Sequence, residues 1–296
     1  MRAPSLSRRT VLRTLAGGGA GATALGGYAF FVEPRLRLIV KEHTVVLPSW
    51  GRRAPLRAAL LADLHFNEPW TPAGRVRQFV DRTLTLNPDI IFLLGDYAKG
   101  LGHFRTRELT EEEWVPELSR LSAPLGVHAV FGNHDWWPGG APYRAGLQEI
   151  GARVYLNDAE PVDWPGGRFW ISGTDSTLAT PLPEGGYRDQ SDLGHVLSLL
   201  PPDEPALHLM HEPDLFVDIL PPIACAFAGH THGGQVRIPG IGRPVVPSRY
   251  GQRFAYGHIQ EGAKQMIVSG GLGMSMLPVR FLVPPEITLV TITGAR

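Results

Sequence analysis

Short apolar runs alternate with amphipathic stretches along the chain from Leu56 onward. Leu56-Arg57-Ala58-Ala59-Leu60-Leu61-Ala62 predicts a buried strand that stops at Asp63. Val76, Phe79, Val80, Leu84 and Leu86 recur at near-helical spacing, and Asn87-Pro88 ends that helix. Ile90 to Leu94 is a second strand, closing on Gly95-Asp96. Glu111 to Leu121 predicts a helix, Val127 to Phe131 a strand, Tyr143–Ile150 a helix and Arg153–Leu156 a strand. Pro165-Gly166-Gly167 joins Pro161–Trp164 to Arg168–Ser172 as a hairpin. Further strands are expected at Ala206–Met210, Ile223–Ala228, Gln265–Ser269 and Ile287–Ile292. No repeat, charge run or low-complexity linker divides residues 33–296. One α/β domain with strands packed between helices is expected there.

Residues 1–32 have a different character. Ser7-Arg8-Arg9-Thr10-Val11-Leu12-Arg13 resembles a twin-arginine export signal, with Val11 where that pattern prefers Phe. Thr14 to Val32 is uncharged, mildly apolar and long enough to span a bilayer, since about 20 apolar residues suffice. Four arginines precede it, in the sense of the positive-inside rule. A cleaved signal, with Ala22-Thr23-Ala24 as the cleavage site, and an uncleaved anchor are both open. Either way the expected partner is the twin-arginine export machinery, and the expected location is extracytoplasmic, with membrane association if the anchor stays. The lone Cys225 permits no intrachain disulfide and no thiolate-rich metal site. The 28 basic residues balance 28 acidic ones, which argues against a nucleic-acid partner bound by bulk charge.

The polar residues gather where the apolar strands stop. In open α/β sheets that edge carries the chemistry. Asp63-Leu64-His65, Gly95-Asp96, Gly132-Asn133-His134-Asp135, His211 and Gly229-His230-Thr231-His232 each follow a predicted strand. Together, in this order, they resemble the calcineurin-like metallophosphoesterase family over roughly residues 56 to 294. Gly271-Leu272-Gly273 and Leu277 through Ile287 resemble its exported or membrane-associated bacterial branch. The resemblance implies a β-sandwich flanked by helices, in four layers αββα. It also implies two divalent ions, Mn, Fe or Zn, as cofactors. One would take Asp63, His65, Asp96 and His232, the other Asp96, Asn133, His211 and His230, with Asp96 as the bridge. His134 would serve the leaving-group oxygen, with Asp135 orienting its ring.

The donor types suit that chemistry. Hydrolysing a phosphate ester needs a nucleophilic hydroxide at neutral pH and a clamp for phosphoryl charge, and two divalent ions about 3.5–4 Å apart supply both. Two such ions bring four positive charges and two aspartates remove two, which leaves a match for an anionic phosphate ester. Nitrogen and oxygen donors without thiolate disfavour copper(I) and calcium.

Departures from the pattern narrow the branch. Lys99 stands where purple acid phosphatases carry their iron-binding Tyr, and the Asp-Arg-Gly of protein phosphatases is absent. A phosphodiesterase or pyrophosphatase acting on a small-molecule, lipid-linked or nucleotide-linked phosphoester is therefore expected. A phosphomonoesterase and a non-catalytic, metal-stabilised scaffold are the alternatives. Phe66, Trp70, Trp136 and Trp137 would make an apolar cleft rim if they do not simply pack the loops down. Arg249, Arg253 and Arg280 are expected at the solvated surface. His43, His103, His128, His195, His208 and His258 match no motif, with His208 the nearest to a supporting role behind His211.

Overall fold

The structure is a computed structural model that describes residues 19, 21–102, 104–137 and 140–295. The twin-arginine residues 7–13 and His103 lie outside the described residues. The strands of the two main sheets are β1 (Ile39–Val46), β2 (Leu56–Leu61), β3 (Ile90–Leu94), β4 (Val127–Val130), β5 (Arg153–Val154) and β6 (Asp158–Trp164). They continue with β7 (Gly167–Gly173), β8 (Ala206–Leu209), β9 (Ile223–Ala228), β10 (Gly257–Glu261), β11 (Lys264–Val268) and β12 (Glu286–Thr293). One sheet has the order β1-β12-β2-β3-β4-β5 and the other β10-β11-β9-β8-β7-β6. Strands β2 to β5 are mutually parallel, and so are β7, β8, β9 and β11. β12 enters between β1 and β2, antiparallel to β2.

Alternation along each strand sends side chains to opposite faces and so builds the layers. Ala58 and Leu60 of β2, and Ile90, Phe92 and Leu94 of β3, face Leu207, Leu209, Cys225, Phe227 and Ile267 of the other sheet. Phe92 and Phe227 meet across that interface with ring centroids 5.3 Å apart. The intervening Ala59, Leu61, Ile91 and Leu93 pack outward on helices Ala73–Leu84, Glu111–Leu118 and Ala141–Glu149. Ala226, Ala228, Met266 and Val268 pack outward on helix Leu193–Leu199 and the 3₁₀ segment Pro213–Asp218. Each large apolar side chain buried in these layers contributes about 1.5–3 kcal/mol. The result is the helix–sheet–sheet–helix arrangement expected from the sequence.

Helix Glu111–Leu118 starts at a capping box between Thr110 and Glu113 and ends two residues past Pro116, short of the expected Leu121. β1 and β10 are additions to the predicted strands. Residues Tyr28–Leu36 dock on the chain near its carboxyl end: the Arg280 backbone N–H donates to the Ala29 carbonyl (3.0 Å). Val283 N–H donates to the buried Glu33 carboxylate (2.6 Å). Among the described residues no helix is long and apolar enough to cross a membrane.

Candidate metal centre

The loops that leave β2, β3, β4, β8 and β9 meet at one edge of the sandwich. Asp63 N–H donates to the Gly95 carbonyl (3.0 Å) and His65 N–H to the Asp96 carbonyl (2.9 Å). Across the sheets, His230 N–H donates to Asp63 Oδ1 (2.8 Å). Asp63, His65, Asp96, His230 and His232 all have left-handed backbone, with φ between 44° and 70°. Such a conformation costs a non-glycine residue about 1–3 kcal/mol and gathers at functional sites. Here it turns consecutive side chains out of the strand alternation and into a common centre.

Two donor groups result. Asp63, His65, Asp96 and His232 present ligand atoms that all lie within 4.8 Å of one another, and so do Asp96, His211 and His230. Asp96 belongs to both groups, its Oδ2 lying 3.5 Å from His65 Nε2 and 3.2 Å from His211 Nε2. Asn133 joins the second group, its Oδ1 3.0 Å from His230 Nδ1. Hydrogen bonding fixes the tautomers of two histidines. His65 Nδ1 lies 2.6 Å from the Ala98 carbonyl and His211 Nδ1 lies 2.7 Å from the Leu94 carbonyl. A carbonyl only accepts, so each Nδ1 carries hydrogen and each Nε2 faces inward, as a metal ligand requires.

The buried polar atoms of the site test its fit to a metal. Asp63 Oδ2 and His232 Nδ1 are buried without a hydrogen-bond partner, and such atoms cost free energy unless something pairs with them. Burial pushes His65 and His230 down to about 3, so both rings are neutral at pH 7. Burial, opposed by His211 and helped by the neighbouring Asp96, raises the Asp63 carboxyl to about 7. The neutral imidazoles of His65 and His230 beside the buried carboxyl groups of Asp63 and Asp96 form a donor set that fits divalent cations.

Glycines allow this closeness. A Cβ on Gly132 would stand 2.2 Å from Asp96 Oδ1, and one on Gly271 2.6 Å from Asp63 Oδ2. The loop bearing Gly271 is held from behind by Arg280. That fully buried guanidinium donates to the carbonyls of Gly270 (2.9 Å), Gly273 (2.6 Å) and Val283 (3.0 Å). Arg280 is thus an internal clamp rather than the solvated residue the sequence suggests. Arg249 and Arg253 are exposed as expected.

Asp135 differs from the role expected of it. Its two oxygens accept from the backbone N–H groups of Asp96 (2.8 Å), Tyr97 (2.7 Å), Ala98 (2.9 Å) and Gly132 (2.8 Å). With its oxygens so engaged, Asp135 clamps the Asp96 loop instead of orienting the His134 ring. That ring is set by the Lys99 carbonyl and by Ser275, whose Oγ is 3.3 Å from Nε2. His134 lies edge-on to His65 (4.9 Å) and against Trp137 (4.2 Å). Burial lowers its pKa, in part offset by Asp96.

Asp96, Asn133, His134, His230 and His232 open onto a cavity of about 1440 Å³. Of the four aromatics considered for its rim, Trp137 alone lines it, joined by Tyr187 stacked on it at 5.7 Å. Phe66 is core, stacked on Trp114; Trp70 packs with Phe31; Trp136 is tied by its indole N–H to Asp175 (2.8 Å). The larger part of the apolar wall comes from two loops that the sequence does not assign to the rim, through Val236, Val245, Met276, Leu277 and Val279. Lys99, Gly100, Gly102, Glu108, Thr177, Leu178, Tyr187 and Asp189 line it as well. His208 is buried and bonds Ser172 (2.9 Å), not a site residue, and His128 bonds the Tyr155 hydroxyl (2.8 Å).

Comparison with known proteins agrees with this geometry. The calcineurin-like phosphoesterase family model matches residues 56–234. The uncharacterized metallophosphoesterase YkuE of Bacillus subtilis is 31% identical, over 98% of this chain and 99% of the relative. Phosphodiesterase YaeI of Escherichia coli is 27% identical, over 96% and 98%. The UDP-2,3-diacylglucosamine pyrophosphatase LpxG of Chlamydia trachomatis is 23% identical, over 89% and 91%. A 5'-nucleotidase structure from Staphylococcus aureus superposes with a TM-score of 0.50 at 11% identity, over 82% of this chain and 55% of that one, a likeness of fold. The chain belongs to the calcineurin-like metallophosphoesterase family and is a metal-dependent phosphoester hydrolase of the dinuclear kind.

Proposed function

We propose that the protein is a phosphodiesterase or pyrophosphatase whose substrate carries a lipid or nucleotide on the phosphate, and that it works outside the cytoplasm at a membrane face. The observation that carries the substrate reading is the cavity. At about 1440 Å³ it exceeds the roughly 300–1,000 Å³ typical of a small-ligand site, and much of its wall is aliphatic or aromatic. A phosphate alone would fill little of it. Relatives described as a phosphodiesterase and as a pyrophosphatase of an acylated sugar nucleotide support the same class. The extracytoplasmic part rests on the Arg8-Arg9 segment and the uncharged stretch after it.

In this reading Asp63, His65, Asp96 and His232 would hold one divalent ion, and Asp96, Asn133, His211 and His230 would hold the other. The ions would supply Lewis-acid charge for the phosphoryl oxygens and a hydroxide at neutral pH. Asp96 would be shared between them, and Asp135 holds the Asp96 loop through its backbone N–H groups. His134 stands at the cavity wall with Nε2 beside Ser275 and serves the leaving-group oxygen. An anionic phosphate arriving next to it raises its pKa from the value burial imposes, so the imidazolium forms where its proton is used. Trp137 and Tyr187 receive the leaving group's apolar or planar part.

Turnover of bis(p-nitrophenyl) phosphate and of p-nitrophenyl phosphate with added Mn²⁺ tests this. The diester is expected to turn over faster, with loss of that rate in His134→Ala. Faster monoester turnover would make the protein a phosphomonoesterase, and activity on neither would favour a metal-stabilised scaffold.

A further inference from the structure

The large apolar side chains that face solvent are unevenly placed. Trp137, Tyr187, Val245, Met276 (64% exposed) and Leu277 stand at the cavity mouth, and Ile241 (68% exposed) caps the turn beside it. The patch does not stop there. Phe281 pairs with Val236 of the cavity wall and meets Tyr28 edge-on at 6.4 Å. Through that contact the mouth continues into exposed Leu282 and the amino-terminal helical segment with Phe31 (58% exposed) and Leu36.

Charge follows the same division. Between Asp218 and Glu286 the chain has one carboxylate, Glu261, which pairs with Arg253. The same stretch carries Arg237, Arg243 and Arg249 on the loops around the mouth, and the amino-terminal segment adds exposed Arg35 and Arg37. The chain as a whole is neutral, so its acidic residues lie mainly elsewhere. Besides Asp96, the carboxylates that line the cavity are Glu108, Asp189, Glu212 and Asp214, the last paired with Arg249 at 3.4 Å, which leaves Arg35, Arg37, Arg237 and Arg243 as the charges interspersed among the apolar side chains. That combination matches an anionic bilayer surface: the aliphatic groups enter the acyl boundary and the guanidinium groups meet lipid phosphates.

We propose that this collar is a lipid-docking surface, which seats the protein on an anionic bilayer with the cavity mouth facing the lipid. The inference depends on where the mouth lies and not on which bond is cleaved there.

The single native thiol makes the test specific, because Cys225 is buried. Ile241→Cys carries an environment-sensitive fluorophore at the collar. Leu220→Cys (56% exposed), just ahead of β9 and so at the end of that strand away from the site, carries it as the control. Both full-length proteins are mixed with phosphatidylcholine vesicles and with vesicles containing about one third phosphatidylglycerol. The label at 241 is expected to shift blue and to be quenched by spin-labelled acyl chains on the anionic vesicles. The label at 220 is expected to stay in water. Leu36→Asp together with Leu282→Asp should weaken vesicle binding several-fold and leave turnover of the soluble diester unchanged. No shift at 241, equal shifts at 241 and 220, or equal binding to neutral and anionic vesicles would overturn the proposal. A blue shift that grows with protein concentration in the absence of vesicles would place a second copy of the chain on the collar and would also overturn it. A protein that docks but cleaves no diester would sink the proposed function alone.

Discussion

Asp135→Asn separates two roles for one carboxylate. Asp135 accepts four backbone N–H groups at 2.7–2.9 Å from full burial. The amide keeps one accepting oxygen and turns an NH₂ toward two of those donors. Two buried N–H groups then lose their acceptor, at about 1–3 kcal/mol each, so the variant loses about 2–6 kcal/mol. That is a large share of the roughly 5–15 kcal/mol that holds a typical domain together. Calorimetry should show a melting temperature lower by on the order of 5–15 °C. Since the clamped loop carries Asp96, divalent-ion affinity measured by titration calorimetry should fall along with it. If Asp135 instead orients His134, the variant would melt within about 1 °C of the parent and bind metal normally, with only its pH–rate profile displaced. That result would refute the clamp.

Three further outcomes follow from the same geometry. Gly132→Ala places a methyl group 2.2 Å from Asp96 Oδ1 at a φ any residue tolerates, so it should abolish tight metal binding, measured by elemental analysis, with a smaller effect on melting. His134→Ala should lower kcat on the diester by about 10²–10⁴ while metal content is unchanged. Asp63, raised to about 7, must lose a proton before it can ligate. Below pH 7 the proton competes with the metal, and above it the competition ends. Metal affinity should therefore rise about fivefold from pH 6 to pH 7 and only about twofold more by pH 8, accompanied by proton release in calorimetry.

Much of the sandwich was legible because its strands are buried on both faces and read as unbroken apolar runs, as in Ile90–Leu94. β1 was not, since Lys41, Glu42 and His43 interrupt it and its pairing partner lies at the other end of the chain. The candidate ligands were legible because each stands two to four residues past a strand, where the alternation breaks. The structure brings all seven together. What local sequence does not show is which partner a polar group finds. Asp135 next to His134 suggests an orienting pair, yet its oxygens are taken by backbone from a loop some forty residues earlier. Arg280 has no acidic residue within five positions in the sequence, yet the fold surrounds it with three accepting backbone carbonyls and with the charges of Asp63, Glu286 and Glu33. The cavity wall was illegible for a related reason: Val236, Val245, Met276 and Leu277 sit in loops without periodicity, and only the fold brings them to one mouth.

The central claim is that Asp96 is shared by two metal ions. Electron paramagnetic resonance of the protein loaded with two equivalents of Mn²⁺ addresses it directly, because a shared carboxylate couples the two spins. The expected spectrum is the multiline signal of an exchange-coupled pair, replaced in Asp96→Asn by the six lines of isolated Mn²⁺ at one equivalent or fewer. Two uncoupled ions in the parent protein, or a coupled pair that survives Asp96→Asn, would contradict the account.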